Sequence, residues 1–160
     1  MAKYLWWFFF IVLVLWVACW VVTSIALEYQ VSRDLNAVHD RAQVAANAED
    51  MLEYLKELRG NMEARGYTTG YWALIFKRPD RSFELHFKAV NRLIERLEQV
   101  KDLPQTETTY QVALDDIRGT VRELPYPNWL WVSFHIWMLW VSVILLVLAV
   151  SSGLVYLANS

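Results

Sequence analysis

Cysteine occurs once in 160 residues, as Cys19. That excludes a disulfide-stapled scaffold and any centre built on paired thiolates. Glycine (5) and proline (4) are scarce, so collagen-like and low-complexity classes fall away, and few places remain where a helix has to stop. The three histidines stand far apart, and no Gly-rich phosphate loop or HExxH pair is present. The chain carries no enzyme motif and is expected to be non-catalytic. A net charge of −2 leaves no basic footprint for nucleic acid, which is not expected as a partner.

Charge is also missing locally. Tyr4 to Leu27 holds no charged residue, and neither does Trp129 to Ala158. All charges except Lys3 lie between these runs, and eight of the nine Trp lie inside them. As helices the runs of 24 and 30 residues rise roughly 36 and 45 Å, against a hydrocarbon core of about 30 Å. Both are expected to cross a membrane. The first resembles a secretory signal, with Lys3 ahead of an apolar run and Trp16-Val17-Ala18-Cys19 distantly like a lipoprotein cleavage site. Trp16 and the bulky stretch Trp6 to Phe10 fit cleavage poorly, so an uncleaved signal-anchor is expected. A basic N-terminus places both termini in the cytoplasm and the insert outside. Arg33, Arg41, Arg118 and Arg122 argue the other way, although long inserts translocate largely regardless of charge.

The insert reads as helix. Val31, Leu35, Val38, Ala42, Ala45, Leu52, Leu55 and Leu58 keep a 4,3 spacing. So do Phe83, Phe87, Val90, Ile94 and Leu97, and again Tyr110, Leu114, Ile117, Val121 and Leu124. The fold class is therefore an all-α membrane protein, two transmembrane helices flanking a long helical hairpin or small helical bundle. Residues 1–27 form the first transmembrane helix, 28–128 an extramembrane helical domain, and 129–158 the second transmembrane helix. Within the domain, helices are expected at about 28–59, 82–103 and 105–124, with an aromatic loop at 66–81. The chain leaves the membrane and must return to it, which allows two topologies. Either the first helix runs unbroken to a cap at Gly60 and the other two stack as the returning arm, or it breaks near Asn47 and four helices form a bundle. Ala45, Ala46 and Ala48 are strong helix formers, which favours the hairpin.

Four features are candidates for function. His135 is an ionisable-capable residue inside a span, which marks it as a functional hypothesis. Haem or pigment ligation by His135, or a metal there, is the minor reading, because no second axial ligand accompanies it. The larger signal is its stripe. His135, Ser142, Ala149 and Tyr156 recur every seven residues with Gly153 alongside, and small or hydrogen-bonding residues let helices approach closely in lipid. This stripe is expected to pack on protein: a partner, or a Cys19, Thr23 and Ala26 face of the first span. Trp129, Trp137 and Trp140 should face lipid or its interface. The third feature is the loop, where Tyr71, Trp72 and Phe76 form either a docking patch or a lid on the hairpin's own core. A membrane-dipping role ranks behind both, since a hairpin holds the loop far from the bilayer. The fourth is the pair His39 and His86, expected on solvated helix surfaces.

Taken together, these features point to a non-catalytic accessory or structural subunit of a larger integral membrane complex. Its expected partners are membrane lipid and other integral membrane subunits, or further copies of itself, with no cofactor. The layout of span, helical bundle and span is similar to that of chemoreceptor and kinase input modules, so an extracytoplasmic sensor or adaptor is the alternative. With the chain ending two residues past the second span, its signal would pass to a membrane partner. An oligomeric two-span channel ranks third, because Pro125 to Trp129 offers no carboxylate for a cation filter.

Overall fold

A computed structural model describes residues 2–73, 76–125, 127 and 136–158. All regular structure among these residues is helical. α1 spans Ala2–Val31 and passes through a π-helical turn, Ser32–Asn36, into α2, Ala37–Gln43. α3 is Ala48–Ala64, a 3-10 turn occupies Pro79–Arg81, α4 is Phe83–Val100, α5 is Thr108–Glu123, and α6 is Ile136–Ala158. One isolated antiparallel bridge joins Tyr71 and Ser82. The chain divides into two compact units, residues 1–28 with 131–160, and residues 29–130.

In the first unit, the two helices are long and apolar enough to cross a membrane. They touch along a narrow antiparallel seam. The Trp6 ring stacks on Tyr156 at 6.3 Å, the Trp16 indole N–H donates to Ser142 Oγ at 3.0 Å, and the Trp16 ring meets the edge of Trp137. Ala149 is buried. Gly153 lies against Trp6 so closely that a Cβ there would stand 2.8 Å from the indole nitrogen. Small residues on α6 thus receive large rings from α1. The expected Cys19, Thr23 and Ala26 face points outward instead. Thr23 has no need of a partner, because its hydroxyl donates back to the Cys19 carbonyl at 2.8 Å. Trp140 is exposed, while Trp137 is exposed and also touches Trp16.

The second unit is a four-helix bundle, not a two-arm hairpin. α2 packs on α3 and α5, α3 on α4, and α4 on α5, which closes the ring. The expected helix 28–59 is interrupted at Val44–Asn47. Asn47 is extended (φ −138°, ψ 171°), and its side-chain oxygen accepts the Asp50 N–H at 2.7 Å. Its amide reaches the Asp50 carboxylate at 3.0 Å. Two groups from α5 satisfy backbone atoms at the break. Tyr110 takes the Ala48 N–H at 2.8 Å, and Arg118 donates to the Ala45 carbonyl at 2.8 Å. Alanine propensity, worth tenths of a kcal/mol per residue, is outweighed by a cap and two tertiary hydrogen bonds of about 1 kcal/mol each.

Gly60 is not a cap either; it lies exposed within α3. The helix ends at Ala64 and is closed off by Gly66, whose φ of +71° suits glycine. There the Gly66 N–H bonds the Glu63 carbonyl and the Tyr67 N–H bonds the Met62 carbonyl, a Schellman ending. All three apolar stripes face the core except at Phe87, which is half-buried; His86 takes that place on the inner face. Surface pairs such as Arg41–Glu57 and Lys56–Glu98 tie neighbouring helices but add little in water.

Candidate functional site

The chain enters the bundle at Tyr29 and leaves it past Leu124, and the distinctive chemistry of this unit gathers at that end. Asp34, in the π-turn, is held by Arg33 beside it and by Arg65 just past α3. Hydrogen bonding from Arg33, and then from Arg65, holds its carboxyl below the usual carboxylate range. Asn61 donates to the Asp34 carbonyl at 2.7 Å, and Arg65 reaches Gln30 at 3.3 Å. These bonds fasten the foot of α3, and the loop that follows it, to the entry of the chain.

Inside this end lies a small pocket, apolar in most of its lining, with two histidines and an asparagine at its wall. His39 and His86 are both buried, which corrects the expectation of solvated surface. His39 sits one turn beyond Leu35, and His86 one turn beyond Phe83, so both fall on inner faces. The His39 Nε2–H donates to the Val121 carbonyl at 2.7 Å. Neither ring nitrogen of His86 has a partner among the described residues, nor does Asn36 Oδ1. Burial, and then the proximity of His39, push the His86 imidazole down to about 4, so it is neutral at neutral pH. A void of about 10 Å³, roughly one water in size, lies among Asn36, His39, Met62, His86, Pro125 and Pro127.

The loop packs on Phe83 and on the His86 side of this end. Tyr67 stacks on Phe83 at 5.1 Å, and Trp72 tilts over the same ring at 4.8 Å with its edge toward His86. Trp72 N–H bonds the Arg81 carbonyl at 3.1 Å, and Phe83 N–H bonds the Gly70 carbonyl at 3.0 Å. Gly70, at φ +89°, makes the turn that this pairing requires. Trp72 is 3% exposed, so it is a core residue and no part of a docking surface. Tyr71 and Phe76 point the other way, at 40% and 75% exposure, and Lys77 lies 5.8 Å from the Tyr71 ring centre. Lys77, Arg78 and Arg81 are exposed beside them.

The other sequence candidates lie in the first unit. Ser142, Ala149, Gly153 and Tyr156 are on the seam against α1, and His135 lies outside the described residues. The stripe and the loop belong to different units, and each is a site of its own. Among the described residues no three His, Cys, Asp or Glu side chains gather as a metal centre. Periodicity already held the signal for His86: Phe83, His86, Val90, Leu93 and Leu97 form a stricter 3,4 repeat than the one through Phe87. Searched against protein-family models, curated proteins and solved structures, the chain matches none.

Proposed function

We propose that this chain is an integral membrane protein of two spans that works without catalysis of its own, as an accessory or structural subunit of a larger membrane complex. The observation that carries the reading is the narrowness of the α1–α6 seam. Two rows of rings and small residues are matched, while Leu15, Val22, Ile25, Ile144, Leu154 and Leu157 all stand exposed. Apolar surface of that extent calls for lipid or another protein. The outward Cys19, Thr23 and Ala26 face is narrow enough to admit a second helix closely. Lys3 supports cytoplasmic termini with an extracytoplasmic bundle.

A photo-crosslinking residue placed at Cys19 in native membranes tests this. A discrete protein adduct is expected. Adducts to lipid alone, in a chain that resists alkaline extraction, would remove the subunit reading and leave the membrane one. A sensor or adaptor is the second reading, favoured by the four-helix bundle with its buried His86, whose ring nitrogens have no hydrogen-bond partner among the described residues. In that case, perturbing His86 should alter the output of a membrane partner without changing assembly.

A further inference from the structure

We propose that Tyr71 and the segment from Phe76 to Arg81 form a foot on a bilayer surface, with Tyr71 and Phe76 in the headgroup region and Lys77, Arg78 and Arg81 against anionic lipid phosphates. The proposal rests on the membrane reading above and extends it to a second lipid-contacting site outside the spans.

Topology supplies the first argument. In a two-arm hairpin this loop would be the far tip. The break at Asn47 turns α3 back, so the loop lies at the end of the bundle where the chain enters and leaves. The bonds from Asn61 and Arg65 to Asp34 hold the end of α3, from which the loop departs, within about two turns of Tyr29. Pro127, on the exit segment, shares a void with Met62 and His86. In the sequence Tyr29 follows one apolar run and Pro127 precedes the other, so this end of the bundle carries both chain connections to those runs.

Chemistry supplies the second. The loop's two outward aromatics are Tyr71, whose amphipathic ring suits headgroup depth, and Phe76, whose apolar ring suits the headgroup–acyl boundary. Residues 76–81 carry three cations and one acid, Asp80. Each Lys or Arg close to an anionic leaflet strengthens contact about fivefold. The opposite end of the bundle has the reverse character. Its connections, residues 44–47 and 101–107, hold no aromatic residue, and two acids there outnumber the lone Lys101. An acidic protein surface offers the same charge but no reason for the aromatics to stand at this end of the bundle; a bilayer offers both.

The test uses the full chain with Cys19→Ser, reconstituted in nanodiscs of phosphatidylcholine with or without phosphatidylglycerol. An environment-sensitive fluorophore is attached at F76C, where its ring stands in for the phenyl group, at Q105C on the far end, or at L146C in a span. Lipids bearing a nitroxide at headgroup depth serve as quenchers. The expected result is quenching at 76 but not at 105, several-fold stronger with phosphatidylglycerol. It should fall to the level of 105 when Lys77, Arg78 and Arg81 are all changed to Gln. Position 76 behaving like 105 in both lipids, while 146 is shielded from aqueous quenchers, overturns the foot and keeps the spans. Exposure of 146 to water overturns the membrane reading and the foot with it. Quenching at 76 that ignores phosphatidylglycerol removes the anionic-lipid assignment. Should the triple variant misfold by circular dichroism, the lipid comparison on the parent chain decides alone.

Discussion

The Tyr110 hydroxyl accepts a 2.8 Å hydrogen bond from the backbone N–H of Ala48, across 62 residues of chain. That N–H belongs to the first turn of α3 and has no carbonyl of its own to bond. Together with the Asn47 cap and Arg118, Tyr110 therefore holds the start of α3, and so the bundle against the hairpin. Tyr110→Phe keeps the ring and orphans the N–H. It is expected to cost about 1–3 kcal/mol in urea unfolding and to speed amide exchange at residues 45–50. Unchanged exchange there would mean that Asn47 alone holds the break.

Asn47→Ala should cost about 0.5–2 kcal/mol by removing the cap. Gly60→Ala should do the reverse and stabilise by up to about 1 kcal/mol, since an added Cβ meets nothing within 4 Å in a helix interior. Gly66→Ala, at φ +71°, should destabilise by about 1 kcal/mol. Melting temperatures of the three variants check these signs. A loss of stability in Gly60→Ala would return that residue to the role of helix end.

Trp72 and Tyr71 are neighbours with opposite fates. Trp72→Ala empties the space over Phe83 and is expected to cost about 3–5 kcal/mol. Tyr71→Ala loses only an outward ring and its contact with Lys77, and should cost less than about 1 kcal/mol. Near-ultraviolet and far-ultraviolet circular dichroism through a thermal melt separate them. Equal effects would place both rings in the core.

Acid should weaken the bundle through His86. Its imidazole titrates near 6.5 when unfolded and is held down to about 4 in the fold, so the folded form stays neutral while the unfolded chain takes a proton. Its contribution is complete above pH 6.5, declines as the pH falls, and levels off below about 4, for a total of about 3 kcal/mol. Asp34 acts in the same direction at lower pH, because its carboxylate is the form that Arg33 and Arg65 hold. His86→Leu should flatten the profile between these limits and leave the acid limb of Asp34. A variant whose stability still falls between pH 6.5 and 4 would assign that slope to other groups.

Much of this fold is legible in the amino-acid sequence. The helices at 83–100 and 108–123 follow from 4,3 spacing and from Ser82 and Pro104 near their boundaries, to within a few residues. The stripe from Tyr110 to Leu124 is buried at every position. For the candidate site, the stripe from Ser142 to Tyr156 is visible as a contact face, whereas the ring-lined face that α1 presents to it is not. Small residues advertise close approach, but a large ring set against a glycine achieves the same closeness from the other side.

Two long apolar helices and a helical insert were determined by composition and periodicity, because burial of an apolar face depends on residues a turn apart. Which way α3 runs was decided only in three dimensions. The alanines at 45, 46 and 48 favour continuing the helix locally, and the groups that reward breaking it, Tyr110 and Arg118, lie on α5. Their hydrogen bonds exist only once the bundle has closed. Local propensity carries no record of them, and with them came the placement of the aromatic, basic loop at the end where the chain enters and leaves.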